Sequence, residues 1–488
     1  MDFSLADQIA QAGNLDPGST ERVDAGMAYV LSRAEKTGNL CLEKHEFLYQ
    51  VRELLGKRRF SLPALAERAA ELVKNRQLFS FHKWVYLWRT GCVEGALARA
   101  VAEKLLHQGP AQPSFWREEL LQVEAELGMT LNDQQRKAVL TAVSSPLTIL
   151  TGGPGTGKTM TQKALVSLYH RVYPGKTVAC CAPTGRAARR MEESTGVKAA
   201  TIHKALKLLA GEDGVFSEPE PLDADLVLVD EVSMLDVYLA ESLFRALKPG
   251  CQLVLVGDAD QLPSVGPGAV LRELLSCGQI PVVRLTKIYR QSADSPIPIN
   301  AALIRAGNLH LEYGKDFQFV ECADMACSAG MMEELYLREA GRFGVDNVAL
   351  LSPFRKKTET GVNALNPKLR EWINPKAPDK PEISHGKRLF RLGDKVMQVR
   401  NFQDISNGDI GYVAAVENRE DGPVLKVDFG EDRVMEYDGS QLDLLDRYAE
   451  ILVDYNQKVN LTAITSPEGI EDRHFADSLL FAAQPEVS

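Results

Sequence analysis

The sequence predicts an α/β protein. A parallel-sheet domain with a phosphate-binding loop sits at the centre, a helical region precedes it, and an incomplete second α/β domain with a small β-barrel follows. Three observations carry this. Continuous apolar runs at 147–150, 177–182, 226–229, 253–256 and 282–285 alternate with helix-favouring stretches, as in parallel strands buried on both faces. The first run leads into a Gly-rich segment that ends in Gly157-Lys158-Thr159. Beyond residue 386 the texture turns to short strands separated by Asn407-Gly408 and Asp421-Gly422, residue pairs suited to tight hairpins.

At 488 residues the chain has room for about three domains, and 45% apolar composition supplies their cores. The 56 basic residues against 66 acidic ones give a net charge of −10. That excludes a wholly basic nucleic-acid coat protein, but not a nucleic-acid enzyme with a local basic groove. No unbroken apolar stretch reaches the roughly 18–20 residues of a membrane span, and Met1-Asp2-Phe3-Ser4 lacks the basic-then-apolar order of a secretory leader. The eight cysteines include no CxxC pair. Neither a disulfide framework nor a zinc site is expected, and a reducing cytoplasm is the expected location.

Residues 1–125 read as a helical domain, with helix-favouring stretches at 66–73 and 93–106 and a Gly/Pro linker at 109–113. Residues 126–300 form the domain with the phosphate loop, which a helix over 161–169 follows. Residues 301–385 open a second, partial α/β domain with a strand at 348–351. Residues 386–443 form an SH3-like barrel from strands at 395–399, 411–416, 424–429 and 434–437. From about 444 to 488 the patterning is helical again, and the chain shows no internal repeat.

The chemistry concentrates at three strand ends. Gly152-Gly153-Pro154-Gly155-Thr156-Gly157-Lys158-Thr159 matches G-x-x-x-x-G-K-[ST] between a strand and a helix. Small residues let backbone N–H groups curl around a phosphate, and the helix start adds favourable dipole charge. Lys158 would reach the β- and γ-phosphates, and the Thr159 hydroxyl would ligate Mg²⁺. Asp230 and Glu231 end the strand at 226–229, placed to hold the Mg²⁺ and to polarise the attacking water. Gly257-Asp258-Ala259-Asp260-Gln261 ends a third strand, where Gln261 could sense the γ-phosphate. Open α/β sheets put their ligands at this edge.

Taken together, several segments resemble the superfamily 1 DNA helicases, and among them the RecD-like ATP-dependent helicases. They are Leu131-Asn132-Asp133-Gln134-Gln135, the phosphate loop, Ala182-Pro183-Thr184-Gly185-Arg186-Ala187-Ala188, Thr201-Ile202-His203, Asp230-Glu231-Val232-Ser233-Met234, the Gly257–Leu262 segment and Tyr289-Arg290-Gln291. The resemblance spans roughly residues 5–443 and implies ATP-driven 5′→3′ translocation on single-stranded DNA by two RecA-like domains, with tailed duplex as substrate. It further implies that Gln135 reads the adenine edge and that Glu231 is the catalytic base. Gln261 would couple the γ-phosphate to DNA, and Arg290 would stabilise transition-state charge as an arginine finger. Pro183, Thr184, Gly185, Arg186, Thr201 and His203 would lie along the DNA path, as would Arg355 in Ser352-Pro353-Phe354-Arg355-Lys356-Lys357. Such contacts are non-specific and salt-sensitive.

Two departures qualify the resemblance. The helix-hairpin-helix units that precede this region in longer members have no counterpart before Phe3. After Leu444, the family's Thr/Ser-His-Lys segment and second arginine finger are replaced by a different sequence. Residues 451–464 and 473–479 instead resemble the start of the ribosomal RNA small-subunit methyltransferase G family, stopping short of a methyl-donor loop. A helicase cut short and joined to an unrelated fragment is the expectation, with ATP binding kept and unwinding impaired. The alternatives are an ATP-binding DNA or protein interaction module without unwinding, an RNA-modifying enzyme, and an RNA helicase.

Overall fold

A computed structural model of the chain describes residues 3–447 apart from 14–15, 58, 108–113, 210–215, 288–294, 309, 355–357, 386–387, 400–401, 403–404, 406–407, 420–421, 431–432 and 443–444. Two compact units result. One holds the described residues up to 287 without 184–186; the other holds 184–186 and the residues from 295 onward.

The first unit opens with helices Phe3–Ala12, Thr20–Lys36, Lys44–Leu55 and Leu62–Lys74. Ser19 and Ser61 cap the second and fourth by accepting from the amides of Arg22 and Ala64. Their apolar faces meet around Met27, Val30, Phe47, Val51 and Leu65. The sequence pattern predicts a mostly helical region here. The structure adds a small antiparallel sheet, β1 (Leu42–Glu43), β2 (Leu78–Phe81) and β3 (Trp84–Leu87), in the order β1-β3-β2. Helix Trp88–Leu106 then runs into the next layer, where Leu97 and Val101 share a core with the central sheet. Lys104 Nζ donates to the Cys251 carbonyl at 2.5 Å on the same side.

That sheet has six strands: β4 (Leu147–Gly152), β5 (Val178–Ala182), β6 (Ala199–Thr201), β7 (Leu226–Val229), β8 (Gln252–Gly257) and β9 (Val282–Leu285). Their order is β6-β5-β7-β8-β4-β9 and every pairing is parallel. Side chains alternate between two cores. Ile149, Val227, Val229, Leu253 and Leu255 pack on one face; Leu150, Leu226, Leu228, Val254 and Val256 pack on the other. Because the strands are parallel, the loops after β6, β5, β7, β8 and β4 all open on one edge.

In the second unit, helices Met325–Phe343 and Val362–Ile373 pack through Ala329, Tyr336, Ala340, Leu365 and Leu369. The strand expected at 348–351 is absent. Val348 is extended (φ −123°, ψ 132°), but no described strand lies beside it to complete a ladder. Hairpin β10 (Glu382–His385) and β11 (Arg388–Arg391) leads to a five-stranded antiparallel barrel sheet of β12 (Lys395–Gln398), β13 (Ile410–Arg419), β14 (Gly422–Asp428), β15 (Val434–Tyr437) and β16 (Leu445–Arg447). The order is β15-β14-β13-β12-β16. The last strand corrects the expectation of helix from residue 444. Leu445 is fully buried in the barrel core and pairs with Gln398 across the ladder, so tertiary burial overrides the local pattern. Residues 448–488, with the methyltransferase-like segments, lie outside the described residues.

Arg391 joins helix, hairpin and barrel. It is 1% exposed, pairs with Glu371 and Glu382, and donates to the Asn374 carbonyl. Its guanidinium, with that of Arg370, holds the Glu371 carboxyl down at about 2. Replacing Arg391 with Ala takes the donor from the Asn374 carbonyl and the largely buried Glu382, while Glu371 keeps Arg370 and water, and is expected to cost about 3 kcal/mol, read from the urea midpoint of the second unit. The same variant is expected to lose part of the acid dependence between 4.5 and 2, because a depressed carboxyl stabilises above its unfolded value and ceases to do so as pH falls through its folded one.

Candidate active site

The phosphate loop is shaped by close approaches. A Cβ on Gly152 would lie 2.8 Å from both the Leu285 carbonyl and the Thr156 hydroxyl, so a larger residue there would displace β9 or the loop. Gly155 and Gly157 take φ of 73° and 83°, a left-handed conformation that glycine adopts without strain. Thr156 Oγ1 donates to the Gly153 carbonyl at 2.8 Å, leaving Pro154 and Gly155 exposed at the crest.

The turn delivers Lys158 as the first residue of helix Lys158–Val172, whose free N–H groups favour an anion. Lys158 Nζ donates to the carbonyls of Gly152 at 2.6 Å and Gly153 at 3.2 Å, so its ammonium lies along the inside of the loop. Thr159 is exposed at the same helix start.

Gln135 is fully buried and already engaged. Its Oε1 accepts from the Asn132 amide at 2.9 Å in a capping box of helix Asp133–Ser144, and its Nε2 donates to the Thr156 carbonyl at 3.3 Å. One side chain therefore ties the helix start to the phosphate loop. The neighbouring Gln134, which no sequence motif singles out, bonds both the amide and the hydroxyl of Thr286 just after β9.

The acidic residues stand on the next two strands along the edge. The Asp230 amide donates to the Cys181 carbonyl at 3.0 Å, and Asp230 Oδ1 accepts from the Glu231 amide at 2.8 Å. Glu231 has φ of 53°, a conformation sparsely populated outside glycine that marks a locally strained turn. Burial pushes the Glu231 carboxyl above its ordinary range and the charge of Asp230 adds to this. Lys158 pulls it back, Asp258 raises it again, and Arg190 lowers it. Lys158, Asp230, Glu231 and Asp258 are thus brought within electrostatic reach of one another.

Asp258 and Arg190 are members of the site that the sequence motifs did not assign. Asp258 stood in plain view at a strand end. Arg190 lay in the basic run Arg186, Arg189, Arg190 of helix Gly185–Thr195. Gln261 follows Asp258, its amide donating to the Asp258 carbonyl at 3.2 Å, and its side chain is exposed.

The expected DNA-path residues lie farther along the same edge. Pro183 and Thr184 follow β5, and Gly185 and Arg186 open helix Gly185–Thr195 with Arg186 exposed. Thr201 ends β6, and its hydroxyl caps helix Ile202–Ala205 by accepting from the Lys204 amide at 3.2 Å. His203 meets the Phe216 ring edge-on with centroids 5.0 Å apart, and burial lowers its pKa. Arg290 and Arg355 lie outside the described residues.

A family model described as an AAA domain matches residues 130–325, which contain the whole acidic edge and the loop. A second, described as the ATP-dependent RecD-like DNA helicase SH3 domain, matches residues 365–429. Both matches agree with the resemblance to RecD-like helicases carried by the sequence motifs. Among RecD-like relatives, the ATP-dependent RecD2 DNA helicase of Deinococcus radiodurans is 38% identical over 64% of this chain and 41% of its own length. The RecBCD enzyme subunit RecD of Mycobacterium tuberculosis is 31% identical over 58% of this chain and 56% of its own. The chain therefore spans about half the length of these RecD-like relatives. A solved Pif1 helicase from Bacteroides, in complex with ADP-AlF3 and ssDNA, is 19% identical with a TM-score of 0.37, covering 64% of this chain and 75% of that one. No helix among the described residues is long and apolar enough to cross a membrane.

Replacing Glu231 with Gln should separate stability from chemistry. A carboxyl whose folded pKa is raised stabilises only below its unfolded value, and that contribution is lost as pH rises through the folded one; at neutral pH the ionised group costs stability. Glu231→Gln is expected to raise the melting temperature by about 2 °C. On the role that the helicase resemblance implies for Glu231, the same variant should lower phosphate release from ATP about 100-fold or more.

Proposed function

We propose that the chain hydrolyses ATP with Mg²⁺ and couples this to 5′→3′ movement on single-stranded DNA, opening tailed duplex. The observation that carries the proposal is the gathering of Lys158, Asp230, Glu231 and Asp258 around one phosphate loop, in a chain with the RecD-like SH3 domain. The loop amides and Lys158 bind the triphosphate tail, once the ammonium exchanges the Gly152 and Gly153 carbonyls for phosphate oxygens. Glu231 accepts the proton of the attacking water, and its raised pKa brings it closer to the working range of a base. Hydrolysis is therefore expected to fail on acidification at a higher pH than an ordinary glutamate would allow.

The residues fit a magnesium ion. Among the described residues no group of three or more His, Cys, Asp or Glu could hold a metal alone. A nucleotide-bound Mg²⁺ asks less: one or two carboxylates or hydroxyls, with phosphates and water completing the shell. Thr159 and Asp230 supply that set, and three carboxylates near a single loop lysine favour a cation. When bound, the ion neutralises charge between the β- and γ-phosphates.

The remaining roles belong to the same proposal. Gln135 fixes the loop; to meet adenine its buried amide must first open to the nucleotide, as Lys158 must exchange its carbonyls. Gln261 senses the γ-phosphate, and Arg290 supplies transition-state charge. Pro183, Thr184, Gly185, Arg186, Thr201, His203 and Arg355 contact the DNA backbone. The direction of travel rests on the helicase resemblance. A cytoplasmic location accompanies a DNA substrate.

The test is ATP hydrolysis by the purified chain with and without single-stranded DNA. Stimulation of about tenfold is expected at low salt, falling steeply as salt rises. Lys158→Ala should abolish both nucleotide binding and turnover while the fold persists. Binding without DNA-stimulated turnover would favour an interaction module instead, and stimulation by RNA rather than DNA would favour an RNA helicase. Duplexes with a 5′ or a 3′ tail decide the direction.

A further inference from the structure

Two hydrogen-bonded contacts join the end of helix Thr20–Lys36 to the domain that carries the phosphate loop, beside the packing of helix Trp88–Leu106 on the central sheet. Helix Thr20–Lys36 closes with Glu35, and three residues on, the Gly38 carbonyl accepts from the Gly268 amide at 3.0 Å. Glu35 itself accepts a hydrogen bond from the Thr90 hydroxyl, which is fully buried. Thr90 Oγ1 in turn lies 2.6 Å from Tyr238 Oη. With Thr90 donating to the carboxylate, Tyr238 must donate to Thr90, so the three groups form a chain with one direction. The Arg89 guanidinium sits over the Tyr238 ring at 4.5 Å and closes the cluster.

Both contacts lead back to the acidic edge. Tyr238 is in the first turn of helix Val237–Ala246, which follows the Asp230-Glu231 turn. Gly268 ends the loop that begins with Asp258 and Gln261. The two segments are also tied to each other. The Val237 amide donates to the Pro267 carbonyl at 3.0 Å, and Ser264 Oγ donates to the carbonyls of Gly266 and Gly268 at 2.9 and 2.8 Å. Gly266 lies so close to the helix-capping Asp236 that an added Cβ would fall 2.0 Å from its Oδ2. The loop and the helix start thus form one packed body, which the end of helix Thr20–Lys36 meets directly at Gly38 and, through Thr90, from Glu35.

We infer that Thr90 is a positioning residue for ATP hydrolysis, setting where the 258–268 loop and the start of helix Val237–Ala246 stand relative to Glu231. It touches neither nucleotide nor metal. Its loss would shift Gln261 and the water-activating group by fractions of an ångström, a displacement to which turnover is far more sensitive than binding. The inference rests on the proposed ATPase reading for its kinetic part only.

Thr90→Val keeps the shape and removes the hydroxyl, whereas Thr90→Ser keeps the hydroxyl. Expected for Thr90→Val are a fall in kcat of about tenfold with KM for ATP within about twofold, and faster amide exchange across residues 264–268. Thr90→Ser is expected to restore both. A Thr90→Val chain with parental kcat would overturn the inference, as would unchanged exchange at 264–268 or a serine variant no better than valine. If Thr90→Val fails to fold, Tyr238→Phe removes the other end of the chain: lower kcat with faster exchange at 264–268 supports the inference, and parental values of either overturn it. If the parent chain itself does not hydrolyse ATP, the proposed function falls and the exchange measurement alone decides the positioning.

Discussion

Negative charge gathered at the carboxyl ends of neighbouring parallel strands is the constraint around which the first unit is arranged. Asp230 and Glu231 leave β7 and Asp258 leaves β8, while the loop after β4 brings Lys158 to the same edge. Carboxylates so placed repel one another, and Glu231 is strained as well as partly desolvated. They stay together because the ladder fixes their spacing: Val229 is in register with Leu255, and Leu150 with Val256. The positive end of helix Lys158–Val172 and the arginine of the adjacent helix offset part of the repulsion. A site of this kind is held in place by its sheet, not by its own contacts.

Much of this was legible in the residues. The run at 226–229 coincides with β7, whose four apolar residues are all buried; β9 and β15 also match their expected spans at 282–285 and 434–437, although each carries a charged residue, Arg284 and Glu436. Structures whose stability comes from elsewhere were hidden. Strands β2 and β3 are four residues each beside long helices, and β6 has only three. The stretch at 348–351 carries a strand's composition without a described neighbour to pair with, while β16 carries a helical texture and pairs all the same. The phosphate loop and the Asp-Glu pair were readable since their chemistry is local in sequence. The influence of Asp258 and Arg190 on Glu231 was not, because it exists only once three strands and a helix have come to one edge.

The SH3-domain match begins at residue 365, thirty residues before the barrel's first strand at Lys395. Arg391 is buried against Glu371, Glu382 and the Asn374 carbonyl, and Asn374 Nδ2 also reaches Asp394 at 2.8 Å. A buried guanidinium must keep all its acceptors. Helix, hairpin and barrel are therefore tied together through one buried cation, although by strand count the barrel alone would look complete.

The contact between the Gly38 carbonyl and the Gly268 amide is made by backbone on both sides, at positions where φ is 87° and 98°. Neither partner presents a side chain, so alanine scanning would report only conformational distress at these two sites and stay blind to the bond itself. An amide-to-ester replacement at residue 268, made by chemical ligation or codon reassignment, deletes the donor while leaving every side chain untouched. Main-chain linkage of this sort also tolerates extensive drift in the surrounding residues, which lets a grip between two domains outlast any recognisable signature of it.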